Sequence, residues 1–305
     1  MGRLLQATLM VPGPFYFYPW KAPINHLAGD DYDTGFKHFV TGHRHAVNIA
    51  LHGVCLFIQL FGNFGLLHAI DQTGVVPQPF PGIPLLTAAS AFIWAGYCLA
   101  GAPACPLVAR VASAACIGVA FAMAPHVTAR QMDQAAPAAM VAALLVSNFA
   151  MAKRKIAPAA VVKVMGAMAF WSFGWAHVER LFVDKVLGGE LPADKHALVL
   201  GGFGLYLLAL GLQRNPLRPL VVTGVIFGRL GAAAIGYNPL LSLWAYAFQA
   251  SLFQGITHSA VKEEATLLAL ERETEERKLR FEWSHVTFFP NLAIHATMQA
   301  AGLLK

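Results

Sequence analysis

Long apolar runs separated by short polar breaks set the pattern of this chain. They fall at about 44–70, 83–104, 106–127, 136–152, 157–183, 197–213, 218–235, 239–261 and 285–304. A helix needs roughly 17–25 apolar residues to cross a hydrocarbon core about 30 Å thick. The pattern therefore predicts an all-α fold, a polytopic transmembrane helical bundle of about nine spans. Pro77-Gln78-Pro79-Phe80-Pro81-Gly82 and Asn215-Pro216 are loop signals between runs. Four regions follow: an aromatic interfacial N-terminal arm (1–42), a helical bundle (43–260), a charged amphipathic connecting helix (261–283) and a final transmembrane helix (284–305).

Composition supports this reading. The chain of 305 residues is 57% hydrophobic and 12% charged, about half the charge of an ordinary soluble domain. Its mean hydropathy is +0.54. The net charge of +6 is not a nucleic-acid signal here, because excess Lys and Arg in a membrane chain fix topology. With the N-terminus in the cytosol, most Lys and Arg fall on the cytosolic side. Only Arg130, Arg180, Lys185, Lys195, Arg229 and Lys305 fall on the far side. Phe15, Tyr16, Phe17, Tyr18 and Trp20 in the arm are residue types that favour the membrane–water interface. The run Leu4 to Val11 is too short, and followed too soon by Pro12 and Pro14, for a cleavable signal peptide. Met1-Gly2 does not begin a myristoylation motif, since Gln6 stands where that motif needs Ser or Thr. Cys55, Cys98, Cys105 and Cys116 lie in or beside apolar segments with no CxxC pair, and read as small buried hydrophobes.

The connecting segment holds seven glutamates and five basic residues. Glu273/Arg277 and Glu276/Arg280 are i,i+4 pairs in the favourable order. It reads as a helix on or beyond the membrane surface. Together with the N-terminal arm it is a candidate surface for protein partners; the bilayer is the other expected partner.

Candidate chemistry centres on histidine. Thr41-Gly42-His43-Arg44-His45-Ala46-Val47-Asn48-Ile49-Ala50-Leu51-His52 places three histidines and an asparagine at the mouth of the first span. If the helix began near Thr41–Arg44, His43 would sit at its cap and be free to turn inward. In one continuous helix His38, His45 and His52 would share a face. Strongly polar side chains within a membrane usually face a partner or a cavity. By depth, His258, His285 and His295 could join His43 and His52, while His68, His126 and His177 fall near the far ends of their spans. Asn48-x3-His52 recurs as Asn291-x3-His295, a weak echo of duplication.

The His43-x4-Asn48-x3-His52 spacing resembles the first signature of a small membrane dioxygenase family that shortens 2-hydroxy fatty acids by one carbon in phytosphingosine breakdown. Gln254-Gly255-Ile256-Thr257-His258, followed by Glu263, resembles its second signature, with Thr257 where that family has glycine. Trp175-Ala176-His177-Val178-Glu179 competes for the same match. The resemblance implies an iron(II) site at the cytosolic interface, held by His43, His52, His258 and His285 (or His295). It implies a fatty-acyl substrate chelating the metal, its carboxylate paired with Arg44 or Lys262. Asn48 and Glu263 would serve beside the metal. Two other readings stand: a non-enzymatic polytopic subunit of a larger membrane complex, and a bis-histidine haem protein. The haem reading uses His45 and His52 with His126 or His177.

Overall fold

The computed structural model describes residues 17–27, 31–150, 155–188, 196–211, 217–236, 239–263 and 287–304. Among them the chain is helical, with no strand. Two short helices come first, α1 (Lys21–Leu27) and α2 (Tyr32–Gly42). Nine more follow: α3 (Ala46–Gln72), α4 (Leu85–Ala100), α5 (Leu107–Met123), α6 (Ala129–Ala150), α7 (Pro158–Leu187), α8 (His196–Gly211), α9 (Leu217–Ala234), α10 (Pro239–Ala260) and α11 (Phe289–Ala300). Each of these nine falls on one of the nine apolar runs.

Nine membrane crossings do not follow from nine helices. Among the described residues three helical stretches are long and apolar enough to cross a membrane: Ala46–Gln72, Leu107–His126 and Pro158–Leu187. The length of the others explains much of the shortfall. α4 and α8 have 16 residues and α11 has 12, so at about 1.5 Å per residue they reach roughly 18–24 Å. α6 is longer, but its first turns carry Arg130, Gln131, Asp133 and Gln134.

The organising element is α3. It packs against α10, α6, α11, α4 and α5, and 72% of its apolar window is buried by other helices. Its interior is apolar on nearly every side: Leu51, Cys55, Leu56, Leu60 and Phe64 are all fully buried. Asn63, fully buried on this helix, is bonded within the protein, as an apolar surrounding requires. The Asn63 amide donates to the Gln59 carbonyl and accepts from the Phe17 backbone N–H. Small residues let neighbours close in. A side chain at Gly53 would meet Thr297 of α11 at 3.2 Å, and one at Gly228 of α9 would meet Cβ of Ala245 on α10 at 2.6 Å.

The described part of the N-terminal arm is built into this core. Phe17 meets the Trp94 ring edge-on at 4.6 Å, and the Tyr18 carbonyl accepts from the Trp94 indole. Tyr32 and Phe39 of α2 are buried as well. The connecting segment from 264 to 286, with His285, lies outside the described residues.

Two helix starts are tied by a carboxylate from elsewhere in the chain. Asp71, buried at the end of α3, accepts from the backbone N–H groups of Leu86 and Thr87 and from the Thr87 hydroxyl in the first turn of α4. Glu263 accepts from the backbone N–H groups of Arg44 and His45, just ahead of α3. Helix α7 contains two π-helical turns, Phe170–Gly174 and Phe182–Leu187, a distortion often found where a helix carries function.

Candidate metal centre

The chain breaks between α2 and α3 at His43–His45, so the two helices do not share one axis. His43 is the C-cap of α2, and His45 is the N-cap of α3, its ring accepting from the Val47 N–H. This corrects the single face expected for His38, His45 and His52. It also frees His43 to turn inward.

It turns onto His52 and His258. The Nε2 atoms of His43 and His52 lie 3.0 Å apart, and Nε2 of His258 lies 3.1 Å from that of His43. All three ligand atoms fall within 4.8 Å of one another, and all three residues are buried. A buried group of this kind could hold a metal ion.

The far ring nitrogens set the tautomer of His43 and His52. Nδ1 of His43 lies 2.7 Å from the Phe39 carbonyl, and Nδ1 of His52 lies 2.9 Å from the Asn48 carbonyl. A carbonyl only accepts, so each Nδ1 carries the proton and each Nε2 presents its lone pair. Two lone pairs 3.0 Å apart repel unless a cation stands between them. Three nitrogens at about 2.1 Å from a divalent ion are separated by about 3.0 Å at right angles and about 3.4 Å in a tetrahedron. The His43–His52 and His43–His258 spacings match the right-angled value, and the third pair lies within 4.8 Å.

Asn48 and Glu263 form the layer behind the ligands. The Glu263 carboxylate accepts from the backbone N–H groups of Arg44 (2.8 Å) and His45 (2.7 Å) through Oε1, and from the Asn48 amide (2.8 Å) through Oε2. A carboxylate only accepts, so it fixes the amide with Nδ2 toward it. The same Nδ2 lies 3.3 Å from Nδ1 of His258. An amide donating there leaves the His258 proton on Nε2, 3.1 Å from the His43 lone pair, and ligation through His258 Nε2 would displace that proton. Asn48 is fully buried, and its Oδ1 has no hydrogen-bond partner among the described residues. Phe39 stacks on the His43 ring at 4.1 Å and meets His52 edge-on at 6.2 Å, closing one wall.

The end of α10 aims Glu263. The Glu263 N–H donates to the His258 carbonyl and the Lys262 N–H to the Ser259 carbonyl. That pair of bonds is a Schellman motif, with Lys262 in its left-handed position at φ 60°. Glycine usually stands there. The five-residue separation of His258 and Glu263 is the span of this motif.

The residues expected at the site divide as follows. His43, His52, His258, Asn48 and Glu263 are brought together. Arg44 contributes its backbone N–H to Glu263, and its side chain is exposed at the junction, donating to the Thr41 carbonyl. His285 lies outside the described residues. His295 is elsewhere, with Nδ1 at 2.7 Å from the Tyr32 phenol. The haem reading loses its ligand pair, because His45 caps its own helix and His52 faces His43. His126 and His177 are exposed, away from this group. Glu179 of the competing motif is buried in an ion pair with Arg229.

That ion pair is part of a cluster the sequence reading missed. Arg229 of α9 was counted with the far-side basic residues. It is buried, bonding Asp133 of α6 through both terminal nitrogens, Glu179 of α7 through Nε, and Gln249 of α10. Its guanidinium also lies over the Trp171 and Trp175 rings. The available signal was an arginine inside an apolar helix, facing two carboxylates also set within helices.

Fold and site together define a helical, largely apolar bundle with a buried three-histidine group at one helix junction. No family model, curated protein or solved structure matches the chain.

Proposed function

We propose that the chain is a metal-dependent membrane oxygenase, with iron(II) held by His43, His52 and His258, acting on a 2-hydroxy fatty acid or similar lipid at the cytosolic interface. The observation that carries this reading is the buried group of three histidines, with Nε2 of His43 3.0 Å from that of His52 and 3.1 Å from that of His258. Imidazole suits iron(II), and non-haem oxygenases leave coordination positions open for O2 and substrate. Among the described residues the group has no carboxylate ligand, so it keeps the full charge of the ion, which favours an anionic chelating group such as a 2-hydroxy carboxylate. When bound, the metal would supply oxygen activation. The protein's own residues do the rest. The Phe39 and Asn48 carbonyls hold two ligand rings in the ligating tautomer. Asn48 and Glu263 hold His258, and Glu263 acts by positioning, since N–H groups engage both its oxygens. Exposed Arg44, next to His43 in the chain, would pair with the substrate carboxylate.

Purified protein reconstituted with iron(II) should bind one ion per chain, and His43→Ala, His52→Ala and His258→Ala should each lose it. Incubation with a 2-hydroxy fatty acid and O2 should give a product one carbon shorter by mass spectrometry. A folded wild-type protein that binds no metal would rule the proposal out.

A further inference from the structure

Helix α2 carries a second buried polar pair. Tyr32 opens the helix, and its phenol oxygen lies 2.7 Å from Nδ1 of His295 on α11. Both residues are buried. Phe36, one turn along, stacks face to face on the His295 ring, centroids 4.2 Å apart and planes 10° apart. Tyr32 itself stacks on Phe36 at 5.7 Å and meets Phe288 edge-on at 5.8 Å. Burial raises the phenol's pKa, so the group stays protonated; with the His295 proton on Nε2, the phenol donates to Nδ1.

This arrangement meets the requirements of a one-electron donor. A phenol that loses an electron becomes strongly acidic, so the electron leaves only where a base takes the proton at once. Nδ1 of His295 stands in hydrogen-bond contact to do so, without solvent. The product at Tyr32 is then a neutral radical, at little cost in an apolar surrounding. The imidazolium formed lies on the face of Phe36, well within the roughly 6 Å over which a ring attracts a cation.

The same helix ends at the three-histidine group. Tyr32 and the ligand His43 are eleven residues apart, about 16 Å along the axis. Phe36 and Phe39 occupy the turns between them, and Phe39 stacks on His43. We propose that Tyr32 is a redox-active tyrosine serving the metal centre, with His295 as its proton acceptor. This rests on the reading of the three histidines as a redox-active metal site. The oxidant is O2 reduced to water at the metal: of the four electrons this takes, iron(II) supplies one, one equivalent of an added two-electron organic reductant such as ascorbate supplies two, and Tyr32 supplies the fourth, with four protons taken from solvent. That fourth electron passes from the phenol to the metal centre. The O–H bond of Tyr32 breaks as an N–H bond forms at Nδ1 of His295, and both changes reverse when a reductant returns the electron. In the absence of substrate, the hole then rests on Tyr32 and not on a ligand.

The test is to mix iron(II)-loaded protein with O2 and one equivalent of ascorbate in the absence of substrate, freeze-quench it and record its electron paramagnetic resonance spectrum. Iron per chain is measured in every sample. A tyrosyl radical is expected in the wild type, its hyperfine pattern narrowed by ring-deuterated tyrosine. Tyr32→Phe should abolish it, and His295→Phe should lower its yield at least tenfold, both with iron content unchanged. Full iron with no tyrosyl signal, or an equal signal in Tyr32→Phe, overturns the proposal. Absence of bound iron overturns the metal-centre reading with it, so the iron measurement separates the two failures.

Discussion

Glu263 ties the end of α10 to the start of α3, and replacing it tests whether this tie also sets the metal site. In Glu263→Ala the Asn48 amide keeps its place in a fully buried residue but loses its 2.8 Å acceptor. An unsatisfied buried donor costs about 1–3 kcal/mol. The Arg44 and His45 N–H groups also lose their acceptor. They lie nearer the surface and regain water, so they add roughly 1 kcal/mol between them. The expected loss of stability is about 2–4 kcal/mol. Glu263→Gln isolates the amide contact, because it sets one N–H₂ group against another while a carbonyl oxygen remains for the backbone. With His258 no longer held from behind, metal affinity should fall about 10–100-fold, the usual effect of losing a group that orients a ligand. Calorimetric titration of iron(II) or a surrogate such as cobalt(II), beside thermal unfolding in detergent, measures both quantities. If Glu263→Gln bound metal within twofold of wild type and Glu263→Ala unfolded at the wild-type temperature, the reasoning about this clamp would be wrong.

Three further outcomes follow from other elements. Lys262 occupies a left-handed backbone position that costs a non-glycine residue about 1–2 kcal/mol, so Lys262→Gly should raise stability by about 1 kcal/mol in denaturant titration. Gly228→Ala places its methyl group 2.6 Å from Cβ of Ala245 and should cost about 1–3 kcal/mol, most of it recovered in the double variant with Ala245→Gly. Asp31 caps α2 by accepting from Thr34, and those bonds hold its carboxyl below the usual carboxylate range. Its contribution is complete at neutral pH and is lost as acid protonates it. Asp31→Ala should therefore cost about 1 kcal/mol at neutral pH and progressively less as the pH falls through the carboxylate range, as read from unfolding curves at several pH values.

Hydropathy alone placed nine helices, because an apolar run this long leaves the backbone few alternatives to internal hydrogen bonding. It did not say which helices can cross a membrane, since that depends on a helical length that Pro84, Gly101 and similar residues cut short at each end. The His43-x4-Asn48-x3-His52 spacing and the depth of His258 pointed to the group that the structure assembles. The break at His43–His45 was only half legible: Gly42 hinted at it, but His45 as a cap replaces a side chain more often found as Ser, Thr, Asp or Asn. Glu263 was legible as a residue and not as a role. Its placement depends on a left-handed lysine, which no propensity rule predicts. The pairing of Tyr32 with His295 and the Arg229 cluster join residues far apart in sequence, and periodicity carries no information about such pairs.

The two carboxylate ties impose an order on biosynthesis. Asp71 meets its partner Leu86 across 15 positions, so the α3–α4 corner can close almost as soon as it leaves the ribosome. Glu263 meets His45 across 218 positions. At roughly 5–20 residues per second, the mouth of α3 waits about 10–40 s after its own synthesis for the carboxylate that closes it. Throughout that interval His43 and His52 have no third histidine. A nascent chain therefore presents at most a two-coordinate, weak site. Any metal capture by the three histidines is deferred until synthesis has passed His258.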